Sequence, residues 1–427
     1  MTPSRPLSPA RLLLLAWLLG AVFYFLDYVV RTSPAVMLHP LATQFGITPL
    51  QAGSLLGSYF ITYSLCSLVA GLSIDHLGPR TPLVAGCVIL AIGCLCFLAG
   101  SQSGGYVGRL LQGAGCAFAW PGCVFIATQG FSPHRLATVL GITQASGNLG
   151  GYLGQYGIGQ ALSSGLSMST YWAALAGLIL LLAIGFMVLL RPGAHPPPST
   201  TTPAGTTSLG LLEPFRIILS NRQSWLAGVI GGLMTVPTSV FAMTWAVDLL
   251  QTDRQYSYAD AVLASSVVSL GWIIGSPLFG LWSDRLGLRK PVLCSGAVLM
   301  LLVMLQLFLF PDLLPGTVSM LLLGVVSGAE LLVVSISKEV NPDRVKGSAA
   351  GCANFLVFGC ATLVGMLYNL FLPFSNNRPG TLLQHFQQSG LFFIACSVIA
   401  ILLILGLQET GQRRMAGSDQ PQAAARC

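Results

Sequence analysis

The sequence predicts an all-α membrane protein in which 12 transmembrane helices form two pseudosymmetric six-helix bundles. Three observations predict this fold: the composition, a series of long apolar stretches and an internal repeat. Of the 427 residues, 54% are hydrophobic and 8% are charged, whereas roughly a quarter of the residues of an average soluble protein are charged. This composition excludes a soluble globular enzyme.

The apolar stretches give the number of spans. A helix that crosses a bilayer needs about 20 mostly apolar residues, because each backbone amide in hydrocarbon must be hydrogen-bonded within the segment. Twelve stretches meet this length. They run approximately over residues 12–36, 50–73, 82–101, 104–127, 137–160, 168–190, 224–250, 258–282, 291–310, 315–338, 347–373 and 385–407.

The basic residues between the spans predict the orientation. If the N-terminus is cytoplasmic, 16 of the 20 lysines and arginines lie on the cytoplasmic side, and Arg31, Arg109, Arg254 and Arg378 do not. Cytoplasmic loops carry an excess of Lys and Arg. We therefore expect an integral protein of a bacterial inner (plasma) membrane with both termini in the cytoplasm.

The chain divides into two halves at its polar middle. Residues 191–210 are rich in Pro, Thr and Gly and cannot build a core. A short helix on the inner membrane face is expected just after them, with a simple connector as the alternative. We predict an N-terminal bundle over 1–190, a cytoplasmic linker over 191–222, a C-terminal bundle over 223–407 and a cytoplasmic tail over 408–427.

The two halves repeat each other. GLSIDHLGPRTP at 71–82 and GLWSDRLGLRKP at 280–291 share seven identities at an offset of 209 residues. The same offset superposes Arg135 on Arg344 in a second pair of loops. Internal duplication of this kind is typical of transporter folds.

These loops carry a resemblance to a known family. They resemble the signature G-x-L-x-D-R-x-G-R-R of the major facilitator superfamily, and the likeness covers essentially the whole chain. Ser73, His76 and Thr81 depart from the signature in the first copy. The resemblance implies a transporter that works by alternating access.

Asp75 stands where a helix leaves the membrane. Its carboxylate can accept hydrogen bonds from a neighbouring helix N-terminus and pair with an arginine, and this contact can form in only one arrangement of the bundles. We expect a gating latch rather than a substrate site, with a plain polar turn as the alternative. The expected latch residues are Gly71, Asp75, Gly78, Arg80, Asp284, Arg285, Gly287 and Arg289.

The first span holds the most informative group of polar residues: Tyr24, Asp27, Tyr28 and Arg31. Asp27 and Arg31 are four residues apart on one helix face, in the order that favours an ion pair, and charges at this depth are costly. We expect Arg31, Tyr24 and Tyr28 to bind substrate and Asp27 to carry a proton. A structural ion pair is the alternative.

Two further resemblances concern the same region and the fourth span. The tyrosine-then-arginine pattern resembles anion-handling branches of the superfamily, and the run from Arg31 to Met37 resembles the phagosomal amino-acid transporters of intracellular bacteria.

In the fourth span, Arg109 is the first residue of an R-x-x-Q-G-x-G element, for which the resemblance implies a part in proton-linked transport. An arginine extended to the outer headgroups is the alternative.

Other spans add candidates. Glu330 is the acid deepest in an apolar run of the second half and a second candidate proton carrier, with a structural pair to a lysine such as Lys338 as the alternative. Cavity-lining side chains are expected at four positions, where packing is the alternative: Gln144, Asn148, Asn354 and Trp245.

Several chemistries are excluded. The 11 cysteines form no CxxC pair and have no nearby histidines, so neither a metal site nor a disulfide framework is expected. There is no Walker, GxSxG or HExxH motif, so we expect no enzyme and no cofactor. The net charge of +7 is spread between apolar runs, which excludes a nucleic-acid partner.

The expected function is proton-coupled symport of a small anionic or zwitterionic solute, such as an amino acid or organic acid, by a monomer in membrane lipid. A proton-driven exporter of drugs or siderophores is one alternative. Drug antiporters of the superfamily place a glycine-proline motif in the fifth span, and 137–160 contains no proline, which favours symport. A receptor that keeps the fold without transport is the other alternative.

Overall fold

A computed structural model describes residues 9–190, 213–342, 345–376 and 381–411. Within these ranges the side chains at 9–10, 75, 133–134, 137, 346–347 and 373–376 are left out of the description. Most of the predicted linker and tail, Arg344 and the side chain of Asp75 therefore lie outside the described residues.

The described residues are helical and contain no strand. In the N-terminal half the helices are α1 (Pro9–Thr32), α2 (Leu38–Phe45), α3 (Pro49–Leu77), α4 (Arg80–Cys96), α5 (Gln102–Cys116), α6 (Ala119–Gly130), α7 (Pro133–Tyr152), α8 (Ile158–Ser163) and α9 (Met168–Leu189). In the C-terminal half they are α10 (Glu213–Ser220), α11 (Arg222–Val236), α12 (Ala246–Thr252), α13 (Tyr258–Leu286), α14 (Lys290–Leu309), α15 (Gly316–Ser327), α16 (Leu332–Glu339), α17 (Lys346–Asn376) and α18 (Leu382–Leu405).

Short segments of different pitch join several of these helices. Ser33–Met37, Phe97–Ala99 and Gly328–Leu331 are 3-10 turns, and Leu153–Gly157 and Pro237–Trp245 are π-helical. The second π-helical segment begins at Pro237, whose ring lacks the N–H that a regular α-helix needs. π-helical turns are frequent at functional sites.

Eleven helical stretches of the described residues are long and apolar enough to cross a membrane. They coincide with all the predicted spans except the fifth. That span lies on an unbroken helical run over 133–163, whose many Gly, Ser, Gln and Asn residues make it less apolar. The predicted all-α membrane fold is confirmed.

The chain separates into two compact units. The first unit contains the described residues of Met1–Ser33, His39–Thr48 and Ser58–Ser208, and the second contains those of Pro34–Leu38, Pro49–Gly57 and Leu209–Cys427.

The sequence repeat is also a repeat of local structure. α3 and α13 each contain 29 residues, and both their first and last residues differ by 209. Each helix is followed by a glycine in the left-handed conformation, Gly78 with φ 72° and Gly287 with φ 64°. Only glycine adopts this conformation without strain, so the two loops need glycine at the same place.

Glycines draw α13 and α15 together in the second unit. A side chain at Gly275 would meet the carbonyl of Val325, and one at Gly328 would meet the backbone of Gly275 and Ser276. Helices in lipid associate largely through such close packing, because apolar tails provide little hydrophobic driving force between them. The glycines therefore set the distance between these helices.

We expect Gly275→Ala to destabilise the protein, since the added methyl group meets backbone that has no room to move. Overpacking of this kind costs about 1–3 kcal/mol. Gly280→Ala, on the same helix, is the matched control because its new methyl group would enter open space. Thermal unfolding of both purified variants measures the difference, and equal melting temperatures would contradict the packing argument.

Candidate functional site

The first unit buries an ion pair between two α1 side chains. Arg31 Nη2 lies 3.2 Å from both carboxylate oxygens of Asp27. Asp27 is 0% exposed and Arg31 is 5% exposed. Removing two charges from water is costly unless additional hydrogen bonds satisfy them.

Tyr59 of α3 supplies those hydrogen bonds. Its hydroxyl donates to Asp27 Oδ1 at 2.7 Å and accepts from Arg31 Nε at 3.4 Å. Tyr63, one turn along, stacks on Tyr59 with ring centroids 5.6 Å apart. The guanidinium carbon of Arg31 lies 4.5 Å from the ring centre of Tyr28 and 4.6 Å from that of Tyr63, so aromatic faces surround the cation.

Arg109 of α5 joins the same group. Its Nη1 donates to the Val30 carbonyl at 3.0 Å and to Gln112 Oε1 at 2.9 Å, and its guanidinium carbon lies 4.7 Å from the ring centre of Tyr59. Gly113 lies against the Tyr59 carbonyl, which lets α5 approach α3. At 1% exposure, Arg109 is buried inside the unit rather than extended to the headgroups.

We call Asp27, Arg31, Tyr59, Tyr63 and Arg109 the ionic cluster. The acidic residues of 1–190 are Asp27 and Asp75, and Asp75 follows Tyr59 on α3 by 16 residues, or about 24 Å of helix. The three charged members of the cluster thus sum to +1 when Asp27 is ionised and to +2 when it is protonated. Within residues 1–190 the cluster therefore contains more basic than acidic side chains.

A second polar group adjoins the cluster on α1 and α7. Tyr24 Oη donates to Gln144 Oε1 at 3.2 Å, Gln144 Nε2 donates to Tyr28 Oη at 3.4 Å, and the two tyrosine hydroxyls are 3.3 Å apart. Gly147 lies against both tyrosine rings, which allows α7 to approach α1. Asn148, the next residue, is 1% exposed.

The other residues that were predicted to line a cavity or to carry a proton lie in the second unit. Glu330 lies in the 3-10 turn between α15 and α16 and is 8% exposed, whereas Lys338 is exposed near the end of α16. Trp245 is buried against Gly53, and Asn354 on α17 is half-buried. Their proposed roles stay predictions.

The second copy of the loop forms an ionic network. Arg289 donates to Asp284 at 2.6 Å, to Ser283 at 2.9 Å and to Glu339 at 3.2 Å. Burial would lower the pKa of Arg289, but hydrogen bonds to Asp284 and Glu339 raise it above its ordinary value. A cavity of about 220 Å³ is lined by Ser283, Asp284, Gly287 and Arg289, and Arg285 is exposed.

The first residues after α18 close this network. Glu409 accepts the backbone N–H groups of Arg289 at 2.7 Å and of Lys290 at 3.1 Å, so its carboxylate caps the N-terminus of α14. Thr410 donates to Glu339 at 2.6 Å. In the first copy of the loop, Arg80 stands at the position that corresponds to Arg289. It donates to the Met187 carbonyl at 3.1 Å.

The sequence model of the Major Facilitator Superfamily matches residues 18–368. The chain belongs to the Major Facilitator Superfamily. It is therefore a membrane transporter and not an enzyme, as the sequence predicted.

Two curated relatives are similar over most of their length. The chain is 23% identical to an uncharacterized MFS-type transporter, YceJ of Bacillus subtilis, over 93% of this chain and 98% of that protein. It is 24% identical to the chloramphenicol resistance protein CraA of Acinetobacter baumannii, over 82% of this chain and 85% of that protein.

Solved structures share the fold. A bacterial homologue of the human lysosomal transporter Spinster aligns with a TM-score of 0.69 at 17% identity, covering 93% of this chain and 97% of that one. A D-xylose–proton symporter aligns with a TM-score of 0.72 at 17% identity, covering 93% and 98%. These likenesses confirm the major facilitator fold.

Sequence reasoning missed four residues that this transporter places at its polar sites: Tyr59, Tyr63, Glu339 and Glu409. A signal existed for each. The two tyrosines are one turn apart in the second span, and the two acids directly follow spans next to a basic loop.

We expect Tyr59→Phe to lower the melting temperature, since it removes a hydrogen bond to a buried carboxylate and keeps the ring. Hydrogen bonds to charged groups contribute about 1.5–3 kcal/mol and neutral ones about 0.5–1.5 kcal/mol. Tyr171→Phe is the matched control because that hydroxyl donates to a neutral partner, Ser33 Oγ, at 2.7 Å. An equal or larger loss in the control would contradict this ranking.

We expect Glu409→Ala to speed amide hydrogen exchange at Arg289 and Lys290, because it uncaps α14. About tenfold faster exchange corresponds to about 1.4 kcal/mol of lost protection. Gln408→Ala is the control, since that neighbouring side chain is exposed. Unchanged exchange at both residues in Glu409→Ala would show that the carboxylate does not hold this helix end.

Proposed function

We propose that this transporter carries a small anionic or zwitterionic solute, an amino acid or an organic acid, together with protons by alternating access. The observation that supports this proposal is the ionic cluster of the first unit. It combines two buried guanidinium groups with one carboxylate, and the carboxylate can take up a proton.

Arg31 and Asp27 define the coupling step. The ionised carboxylate of Asp27 lies 3.2 Å from Arg31 Nη2 and therefore competes with any carboxylate of the solute. Protonation of Asp27 removes its charge and releases the guanidinium, which binds carboxylates in a bidentate manner. Solute and proton then bind together, as symport requires.

Tyr59 and Arg109 assist this step. The Tyr59 hydroxyl can donate to ionised Asp27 and accept from the protonated acid, so it stays bonded in both states. Arg109 faces the same ring, and its charge raises the affinity of the cluster for an anion. Tyr24, Tyr28, Gln144 and Asn148 complete the substrate site in the first unit.

The second unit supplies the other parts of the mechanism. We assign Glu330 as a second proton carrier and Trp245 and Asn354 as lining residues. The two loops with Gly71, Asp75, Gly78 and Arg80 and with Asp284, Arg285, Gly287 and Arg289 act as gating latches. A latch must break when the transporter changes state, and exposed contacts such as Asp284 with Arg289 break at small cost.

The excess of Lys and Arg on one side of the predicted spans supports termini in the cytoplasm. We further propose that the protein is a monomer in a bacterial inner membrane. Residues 1–190 and 223–407 form the two bundles, 191–222 link them and 408–427 form the tail.

The test is uptake of labelled amino acids and hydroxy acids into proteoliposomes with an imposed pH gradient. We expect uptake by the wild type to rise when the outside is acidified from about pH 8 to about pH 6, where the carboxyl groups of amino acids and hydroxy acids stay ionised. Asp27→Asn should make uptake independent of the gradient. Arg31→Ala should lose about tenfold or more in affinity, since a lost charge pair exceeds about 1.4 kcal/mol.

Arg254→Ala is the control, because this arginine pairs with the exposed Asp312 outside the proposed site. Equal uptake by the wild type and Arg31→Ala would contradict the assignment of Arg31 as the residue that binds the carboxylate of the solute. If uptake by Asp27→Asn still depended on the gradient, another residue would have to carry the proton. Glu330→Gln is then the next variant to test.

The similarity to the chloramphenicol resistance protein CraA favours a second candidate function, proton-driven drug export. Expression of the protein in a drug-sensitive strain distinguishes the two. Raised resistance to chloramphenicol that persists in Arg31→Ala would support export. Unchanged resistance together with proton-coupled uptake supports the solute symporter.

A further inference from the structure

Asn148 on α7 has a buried amide to which no other group in the described part of the chain is hydrogen-bonded. It is 1% exposed, and neither its Nδ2 nor its Oδ1 has a hydrogen-bond partner among the described residues. Almost all buried polar side chains in native proteins are hydrogen-bonded, and leaving a buried donor or acceptor unpaired is unfavourable. The position therefore calls for a ligand that brings both a donor and an acceptor.

The surroundings of Asn148 belong to the proposed substrate site. Gln144, four residues earlier and so on the same side of α7, bonds to the hydroxyls of Tyr24 and Tyr28. Gly147 lies against the rings of the same two tyrosines. The guanidinium of Arg31 covers the Tyr28 ring at 4.5 Å, so the proposed carboxylate anchor and Gly147, the residue next to Asn148, both contact this tyrosine.

The backbone here departs from regular helix. The π-helical segment Leu153–Gly157 begins five residues after Asn148, and Thr32 donates to the Gly151 carbonyl at 3.1 Å. π-helical turns cost stability and occur often at functional sites. This supports a ligand-binding role for this part of α7.

We propose that Asn148 binds a hydroxyl group of the solute while Arg31 binds its carboxylate, so that the transporter selects hydroxycarboxylates over amino acids. This inference rests on the proposed function. A hydroxyl donates one hydrogen bond and accepts two, so it satisfies both amide atoms, whereas an ammonium group donates only.

An amino acid would bring an ammonium group instead of a hydroxyl group, and residues 1–190 offer few acidic side chains to bind it. An ammonium group of an amino acid prefers a carboxylate, and Asp27 already accepts from Arg31 and Tyr59. Asp75, the other acid of 1–190, lies at the far end of α3. A neutral second group on the solute fits these residues better.

The experiment compares matched sets of three acids that differ at one carbon. The sets are lactate, alanine and propionate; malate, aspartate and succinate; and phenyllactate, phenylalanine and phenylpropionate. Binding to the purified full-length protein is measured at about pH 7, where the carboxylates of all nine acids are ionised to nearly the same extent. In the set of fitting size, the hydroxy acid should bind about tenfold or more tightly than the other two.

Two variants assign the preference to Asn148. Asn148→Leu has nearly the same shape and should lose the preference for the hydroxy acid over the unsubstituted acid. Because it removes unpaired buried polar atoms, it should also match or exceed the wild type in melting temperature. Asn148→Asp should move the preference towards the amino acid. Gln160→Leu is the control, since that side chain lies exposed on the same helical run.

The outcomes separate this inference from the proposed function. Binding of none of the nine acids would count against the proposed anionic solute itself. Arg31-dependent binding in which the amino acid or the unsubstituted acid equals the hydroxy acid would overturn the hydroxyl assignment alone. So would a hydroxy-acid preference that survives in both Asn148 variants.

Discussion

The buried pair of Asp27 and Arg31 is the constraint on which the polar interior of the first unit depends. Helix α1 places the two side chains on one face, but the pair can remain out of water only if other groups satisfy it. Tyr59 does so from α3. Gly113 of α5 lies against the Tyr59 carbonyl and so lets α5 bring Arg109 to the ring of the same tyrosine. A glycine on one helix thus allows buried charged side chains to reach their partners on the next.

The two halves share a scaffold and differ in their chemistry. α3 and α13 have the same length and the same left-handed glycine after their last turn. At the offset of 209, however, Tyr59 corresponds to Val268 and Tyr63 to Trp272. The Tyr59 hydroxyl, which bonds to both members of the ion pair, has no counterpart at Val268. The repeat therefore carries the helical framework, while the proposed site belongs to one copy.

The sequence was sufficient for features that depend on local spacing. The spans follow from apolar length, and the pairing of Asp27 with Arg31 follows from helical periodicity, so both could be predicted. The contact between Tyr59 and Asp27 could not, because it depends on the register of two helices packed side by side. Glu409 is similar, since nothing local indicates which helix end a carboxylate after the last span will cap. The unpaired state of Asn148 also depends on every neighbour at once.

The ionic cluster also bears on the choice between a structural and a functional ion pair. A purely structural pair needs one acid for one base, and similar stability is available from apolar side chains of the same volume. Here a second guanidinium, that of Arg109, faces the ring of Tyr59, so the cluster is more than one acid paired with one base. Two guanidinium groups beside one carboxylate that can take up a proton are the arrangement that the proposed coupling of an anion to protons requires.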